Sequence, residues 1–165
     1  MPPGGNKEGV TISAHLQKSG LMKYPKSPQE KVGGIVYFGR MAEKIRLMAA
    51  GELHPDLHAN LGKGFDGYCV DFLGVQYDEL RAKVLGGLDD VQALEWCFEN
   101  GKRPTESEIE VWNAFMSKRG WRDEVNEILI RRKKESGFED RDEIQTMFDY
   151  IDADEGRPVP PFMAS

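Results

Sequence analysis

The chain has 165 residues, of which 39% are hydrophobic and 30% are charged, and its formal net charge is −6. This length and composition suit one globular domain that buries most of its apolar surface. The negative charge argues against a nucleic-acid partner, since phosphate binding needs a basic face, and no stretch has the apolar length that a membrane span requires. With two cysteines and no signal-peptide core, we expect a cytoplasmic protein with reduced thiols.

The first strong helix signal covers residues 28–50, after a Gly- and Pro-rich segment at 1–20 that we expect to be flexible. Ser27 and Glu30 form a capping box around a proline at the first helical position, and Gly51 suits a left-handed stop. Apolar residues recur inside this stretch at helical spacing: Val32, Ile35, Ala42, Ile45 and Ala49. The sequence therefore predicts a long first helix on which the rest of the domain is built.

Shorter helices follow, bounded by glycines and by capping residues. They are predicted over residues 65–73, 77–85, 91–100, 106–119 and 122–135, with a last one capped by Asp140 or Asp142. Helical periodicity predicts that the 106–119 helix buries Ile109, Trp112, Phe115 and Met116.

No convincing strand pattern is present. We therefore expect an all-α fold, a single compact domain of six to eight helices over residues 21–157, with an extended proline-rich tail at 158–165. The predicted core consists of Ile35, Ile45, Leu80, Leu94, Trp112, Ile128 and Phe148.

Several short motifs occur together in an order that resembles a known family. They are, in chain order, Pro25-Lys26-Ser27-Pro28, Gly33-Gly34, Arg40-Met41-x-x-Lys44, Gly51, Phe65-Asp66, Phe72-Leu73-Gly74, Trp112-Asn113, Phe148-Asp149 and Asp152-x-Asp154-Glu155-Gly156-Arg157. The set resembles a bacterial family of small helical proteins that is catalogued only as a domain of unknown function. The resemblance covers roughly residues 20–157 and implies the fold boundaries, but it implies no activity. The loop from Leu53 to Lys63 is not similar to a shared block of that family.

Two cations lie one turn apart on the predicted first helix. Arg40 and Lys44 are at positions i and i+4, so both project from one face. One interpretation is an anionic ligand held between them, with Tyr37 one turn below. The alternative is an exposed ion-pair lattice in which Glu43 pairs with Arg40 or Arg46 and contributes little.

Lys44 and Asp66 are the candidate catalytic residues. A carboxylate among apolar residues can have a raised pKa, which suits a general base, and Lys44 is the other candidate for that role. The alternative for Asp66 is to cap the helix at 65–73. Trp112 is a candidate pocket wall, although aromatic residues at helical spacing are usually core. Asn113 beside it is a candidate ligand-binding residue, because a buried amide must find hydrogen-bond partners.

The sequence predicts no metal site and no cofactor. His54-Pro55-Asp56-Leu57-His58 offers three metal-ligand types, but the proline lets a helix only begin there, so a polar loop is favoured. Gly62-Lys63-Gly64 and Gly33-Gly34 lack the context and the spacing of a nucleotide-binding loop.

These residues lead to two hypotheses for function. The first is a small-molecule-binding helical domain that holds an anionic metabolite through Arg40 and Lys44. If it is an enzyme, the reaction is a cofactor-independent proton transfer, elimination or isomerisation with Lys44 or Asp66 as the base. The alternative is a non-catalytic regulatory or protein-interaction module with an acidic helical surface. The accessibility of the two cations separates these hypotheses, and the sequence leaves the oligomeric state open.

Overall fold

Two consecutive glycines decide where the first helix begins. In the computed structural model, which describes residues 22–161, Lys31–Val32 (β1) and Ile35–Val36 (β2) form an antiparallel hairpin. Gly33 and Gly34 connect the strands with φ values of 56° and 81°. A two-residue hairpin turn needs such positive values, and glycine adopts them without strain.

The long first helix predicted over residues 28–50 is therefore corrected to Phe38–Ala49 (α1). The capping signature at Ser27 starts a turn instead of a helix. Its Oγ accepts a hydrogen bond from the Gln29 N–H at 3.1 Å and donates one to Asp152 at 3.0 Å. The predicted helix failed in its first half because the glycine pair favours a turn and costs about 1 kcal/mol per residue in a helix.

The chain after α1 is helical over most of its described length. A 3-10 helix covers Pro55–Asn60, and the α-helices are Phe65–Leu73 (α2), Tyr77–Leu85 (α3), Asp90–Asn100 (α4), Glu106–Lys118 (α5), Asn126–Glu135 (α6) and Met147–Asp154 (α7). The last helix is capped by Thr146, which accepts from the Asp149 N–H, and not by Asp140 or Asp142 as predicted. A mostly helical fold is thus confirmed, with a small hairpin added to the all-α description.

α1 lies at the centre of a single compact domain. It packs against α3 and α4, the hairpin packs against α5, and α7 contacts both α5 and α6. Six of the predicted core residues are buried: Ile35, Ile45, Leu80, Leu94, Trp112 and Phe148. Ile128 is the exception at 40% exposure, because α6 turns Leu129 inward to form a second cluster with Ile144 and Tyr150.

None of the described helices is both long and apolar enough to cross a membrane. The segment predicted to be flexible, residues 1–20, lies outside the described residues, as do residues 162–165 of the predicted tail. Residues 158–161 contain no helix or strand, and Val159 packs against the second cluster.

Asn113 joins the hairpin to α5. Its Oδ1 accepts a hydrogen bond from the Val36 N–H at 3.0 Å, and its Nδ2 donates to the Gly34 carbonyl at 2.8 Å. The neighbouring Trp112 indole N–H donates to the Val36 carbonyl at 3.2 Å. A two-stranded sheet leaves the outer edge of each strand without a partner strand, so these two side chains take the place of a third strand.

We expect Asn113→Ala to lower the free energy of unfolding by about 1–3 kcal/mol. The reason is that the Val36 N–H and the Gly34 carbonyl each lose their hydrogen bond to the Asn113 side chain. Urea unfolding followed by circular dichroism measures the change. Ser117→Ala, on the same helix, is the control for the gain in helix propensity and should change stability by less than about 0.5 kcal/mol. Equal stability of Asn113→Ala and the wild type would contradict the role of Asn113 as an anchor.

Candidate functional site

A tyrosine at the start of the first α-helix and a lysine within it meet an aspartate of the second α-helix inside the domain. The Lys44 Nζ atom on α1 lies 2.8 Å from Oδ1 of Asp66 on α2. The Tyr37 hydroxyl donates to the same carboxylate oxygen at 2.6 Å and accepts from Lys44 Nζ at 3.2 Å. The other Asp66 oxygen accepts from the Gly62 N–H at 2.9 Å. Tyr37, Lys44 and Asp66 are each no more than 3% exposed. Asp66 does not cap α2, because the N-cap residue of that helix is Gly64.

Tyr37 has an uncommon backbone conformation at the start of α1. Its φ is 76°, in the left-handed region that residues with a Cβ adopt at a cost in energy. Its ring contacts Phe65 and Phe148, with centroid distances of 5.7 and 6.1 Å. Its N–H donates to the Pro28 carbonyl at 3.0 Å. These contacts, together with the bond to Asp66, hold the residue in its strained conformation.

The other predicted cation, Arg40, is paired with a carboxylate near the end of the domain. Its guanidinium donates to both Glu155 oxygens, at 2.8 and 2.5 Å, and to the Lys26 carbonyl at 3.1 Å. Arg157 donates to Glu155 at 2.7 Å and to Asp152 at 3.1 Å. The side chains of Arg40 and Glu155 are each 3% exposed, so the network is an internal connection between the first described residues and α7.

Burial dominates the pKa values in this region. It lowers the pKa of Lys44 below its ordinary 10.5, although Asp66 acts in the opposite direction. It raises the pKa of Tyr37 well above 10.0, and the Asp66 carboxylate adds to the increase. Burial also raises the pKa of the Cys69 thiol well above 9.0. At neutral pH the Tyr37 hydroxyl and the Cys69 thiol are therefore protonated, and neither is an activated nucleophile.

The remaining predicted residues lie elsewhere or have other partners. Trp112 and Asn113 lie on α5 and bind the hairpin. Glu43, the predicted partner of Arg40 or Arg46, faces Lys26 at 3.9 Å instead. Sequence reasoning missed Glu155 as the partner of Arg40; its place in the motif Asp152-x-Asp154-Glu155-Gly156-Arg157 was the available signal.

Local contacts stabilise the loop that contains His54 and His58. The His54 ring stacks on Tyr24 at a centroid distance of 4.5 Å, and its Nδ1 accepts from the Asp56 N–H at 3.3 Å. His58 Nε2 lies 2.8 Å from the Leu53 carbonyl oxygen. Within residues 22–161, no three His, Cys, Asp or Glu side chains are grouped so that they could hold a metal ion.

An open groove with a volume of about 380 Å³ runs along α5; we call it the aromatic groove. Its lining residues are Phe72, Ser107, Glu108, Val111, Trp112 and Phe115. Phe72 and Trp112 stack with ring centroids 4.7 Å apart, and Phe115 meets Tyr68 edge-on at 5.9 Å. Val111 is 69% exposed and Phe115 is 43% exposed. The predicted burial of Phe115 is corrected, because Trp112 and Met116 face the core and leave Phe115 at the edge of the buried face.

A second cavity, of about 590 Å³, lies where α4 begins and is lined by Arg46, Val84, Gly87, Leu88, Asp89, Asp90 and Val91. Two of its charged groups, Arg46 and Asp90, bind each other. The Asp90 carboxylate accepts from Arg46 at 2.7 Å and from Lys26 at 2.8 Å. The Arg46 and Asp90 side chains already have partners within the chain, so neither is free to bind a ligand in this cavity.

A protein-family model described as "Domain of unknown function (DUF5069)" matches residues 22–157. The matched range ends at Arg157, whose guanidinium also donates to the Pro25 carbonyl near the start of the range. No curated protein matches the chain.

Tyr37→Phe should lower the free energy of unfolding at neutral pH by about 1–3 kcal/mol, because Asp66 and Lys44 lose a buried partner. The folded-state pKa of Tyr37 is raised above 10.0, so its contribution is complete below pH 10.0 and is lost as the pH rises above that value. The stability difference between wild type and Tyr37→Phe should therefore shrink above pH 10. Urea unfolding at several pH values measures it, with exposed Tyr68→Phe as the control. A difference that stays constant above pH 10 would contradict this assignment.

Lys44→Met should lower the free energy of unfolding by about 3–5 kcal/mol, because the Asp66 charge stays buried without its cation. The double variant Lys44→Met/Asp66→Asn should recover part of that loss, since neither charge then remains. Thermal and urea unfolding measure both variants, and exposed Lys83→Met is the matched control. A loss below about 1 kcal/mol for Lys44→Met would mean that the pair contributes no more than a surface contact.

Proposed function

The chain belongs to the DUF5069 family, a domain of unknown function, and from its own geometry we propose that it is a protein-interaction module that receives a partner in the aromatic groove. In this proposal the buried side chains of Tyr37, Lys44 and Asp66 stabilise the fold, and the exposed surface of α5 binds the partner. We place the module in the cytoplasm, where its free, buried thiols Cys69 and Cys97 stay reduced.

The state of the two predicted ligand-binding cations supports this proposal over a metabolite site. Arg40 already holds Glu155 through two parallel hydrogen bonds, and Lys44 already holds Asp66. An anionic ligand would have to displace a buried carboxylate, and a buried charge left without its partner costs several kcal/mol. The cations are thus neutralised by the chain itself.

The single observation that carries the proposal is the exposed apolar surface of the aromatic groove. Val111 and Phe115 are 69% and 43% exposed beside the stacked pair Phe72 and Trp112, and Tyr68, which meets Phe115 edge-on, is 42% exposed. Large contiguous apolar patches mark interaction sites, and aromatic side chains supply much of the binding energy at protein interfaces. The six lining residues include only two polar ones, Ser107 and Glu108, which suits an apolar partner surface better than a polar metabolite.

A second candidate function keeps the anion site, and one pair of observations favours it. Strained backbone at Tyr37 and the lowered pKa of Lys44 are features that concentrate at functional sites. In this candidate a carboxylate or phosphate metabolite replaces Glu155 beside Arg40, and Lys44 is the base of a cofactor-independent proton transfer, elimination or isomerisation. A metabolite that raises the melting temperature of the wild type, but not of Arg40→Lys, would support it.

Site-specific photo-crosslinking in cells tests the interaction module. We expect benzoylphenylalanine at Val111 to give a discrete crosslinked protein product, because this position lies in the aromatic groove. Val91 is the matched control: it is also a valine, 70% exposed against 69%, and it lines the other cavity. Adding Phe115→Glu to the Val111 probe should abolish the product, since it puts a charge into the apolar contact.

Identical products from Val111 and Val91, or a product that survives Phe115→Glu, would overturn the proposal. Circular dichroism and the melting temperature show whether Phe115→Glu leaves the fold intact. We expect it to, because surface substitutions usually change stability by less than about 0.5 kcal/mol.

A further inference from the structure

We propose that the partner at the aromatic groove is a second copy of this chain, bound through its own α5 in an antiparallel, two-fold arrangement. This inference rests on the proposed function, because it identifies the occupant of the same surface. It follows from the order of residues on the outer face of α5, from their charges and from the few hydrogen-bonding groups in the groove.

The outer face of α5 carries one continuous exposed stripe. Its residues recur at i, i+3, i+4, i+7, i+8 and i+11, the spacing of a helix face that packs against another helix. All six are exposed: Ser107, Glu110, Val111, Ala114, Phe115 and Lys118. The apolar residues lie in the middle of the stripe, with an acidic residue towards one end and a basic residue at the other.

The charges on this face of α5 are complementary to those of a second α5 that packs in the antiparallel direction. Ala114 is small enough to let two helix axes approach closely at a crossing point. Glu110 lies four residues before Ala114 and Lys118 lies four residues after it. A two-fold axis at Ala114 therefore brings Glu110 of each copy against the partner's Lys118. A parallel arrangement would instead bring like charges together, so the charges select the antiparallel one.

The same arrangement brings the partner's α5 against Val111 and Phe115, which line the aromatic groove. Residues at equal distances on opposite sides of Ala114 face each other, so the partner's Phe115 lies level with position 113, between Val111 and Phe115 of the groove wall. Isologous contacts of this kind repeat twice per dimer. Exposed ion pairs contribute little, so the apolar contact supplies the affinity and the two charge pairs fix the orientation.

The polar groups of the groove favour a helix over an extended peptide. The Trp112 indole N–H already donates to the Val36 carbonyl, and the Glu108 carboxylate already accepts from the Thr105 hydroxyl and pairs with Lys102. A bound extended strand would find few partners for its backbone N–H and C=O groups, whereas a helix satisfies its own. The exposed face of α5 itself is such a helix.

Sedimentation velocity over a concentration series tests the proposal with charge-exchanged variants. Wild type should dimerise, and Glu110→Lys or Lys118→Glu alone should weaken self-association about tenfold by bringing like charges together. An equimolar mixture of these two variants should recover the affinity, because each mixed pair brings a lysine to a glutamate at both contacts. Glu79→Lys and Lys83→Glu, the same changes at exposed positions on α3, are the matched controls and should have no effect alone or mixed.

A wild type that stays monomeric across the series, or a dimer that is insensitive to the α5 variants, would overturn the inference. So would a mixture that does not recover, since the contact would then not pair Glu110 with Lys118. Crosslinking at Val111 separates this failure from that of the proposed function. A product of twice the mass of the chain fits the second copy, and a product of another mass keeps the interaction module but excludes the second copy.

Discussion

The fold depends on the neutralisation of two cations of α1 inside the domain. A buried lysine or arginine costs several kcal/mol unless a carboxylate and further hydrogen bonds meet it. Asp66 of α2 meets Lys44, and Glu155 next to the end of α7 meets Arg40. The final position of the central helix therefore depends on both of these segments. This requirement couples the two ends of the domain, and it explains why the chain tolerates a strained Tyr37 that contributes a hydrogen bond to the same cluster.

Several helix boundaries set by local signals were predicted correctly from the sequence. The helices α2 and α3 each end next to a glycine, and α5 begins with a capping box at Thr105, so the deciding contacts lie within a few residues. The first helix was predicted wrongly because the glycine pair forms a hairpin turn and because the residue that seemed to cap the helix has a distant partner. Ser27 binds Asp152, 125 positions away, and this contact together with the glycine pair fixes a turn and a hairpin.

The candidate site shows the same division between local and distant information. Helical spacing predicted that Tyr37, Arg40 and Lys44 share a face, because residues three and four apart lie on the same side of a helix. In the structure Tyr37 bonds to Lys44, and Arg40 joins a separate network with Glu155. The spacing could not identify what neutralises the two cations, since Glu155 lies 115 positions from Arg40. It also could not reveal that Phe115 is exposed. Periodicity gives the direction of a side chain from its helix, but the width of the covered face depends on neighbouring elements.

Arg40 and Lys44, whose spacing suggested a ligand site, are buried in this domain. The aromatic residues Tyr68 and Phe115 are exposed. The inner charges are explained by folding, because each has an oppositely charged partner in this chain and a defined place in the packing. The outer residues Val111 and Phe115 are not explained by folding, since a side chain that is 69% or 43% exposed gains only part of its burial energy. An apolar surface that folding leaves in water gains its remaining stabilisation only when something covers it. On α5 such a surface stands beside charges that match their own reverse order, and a helix face of that kind is best covered by another copy of itself.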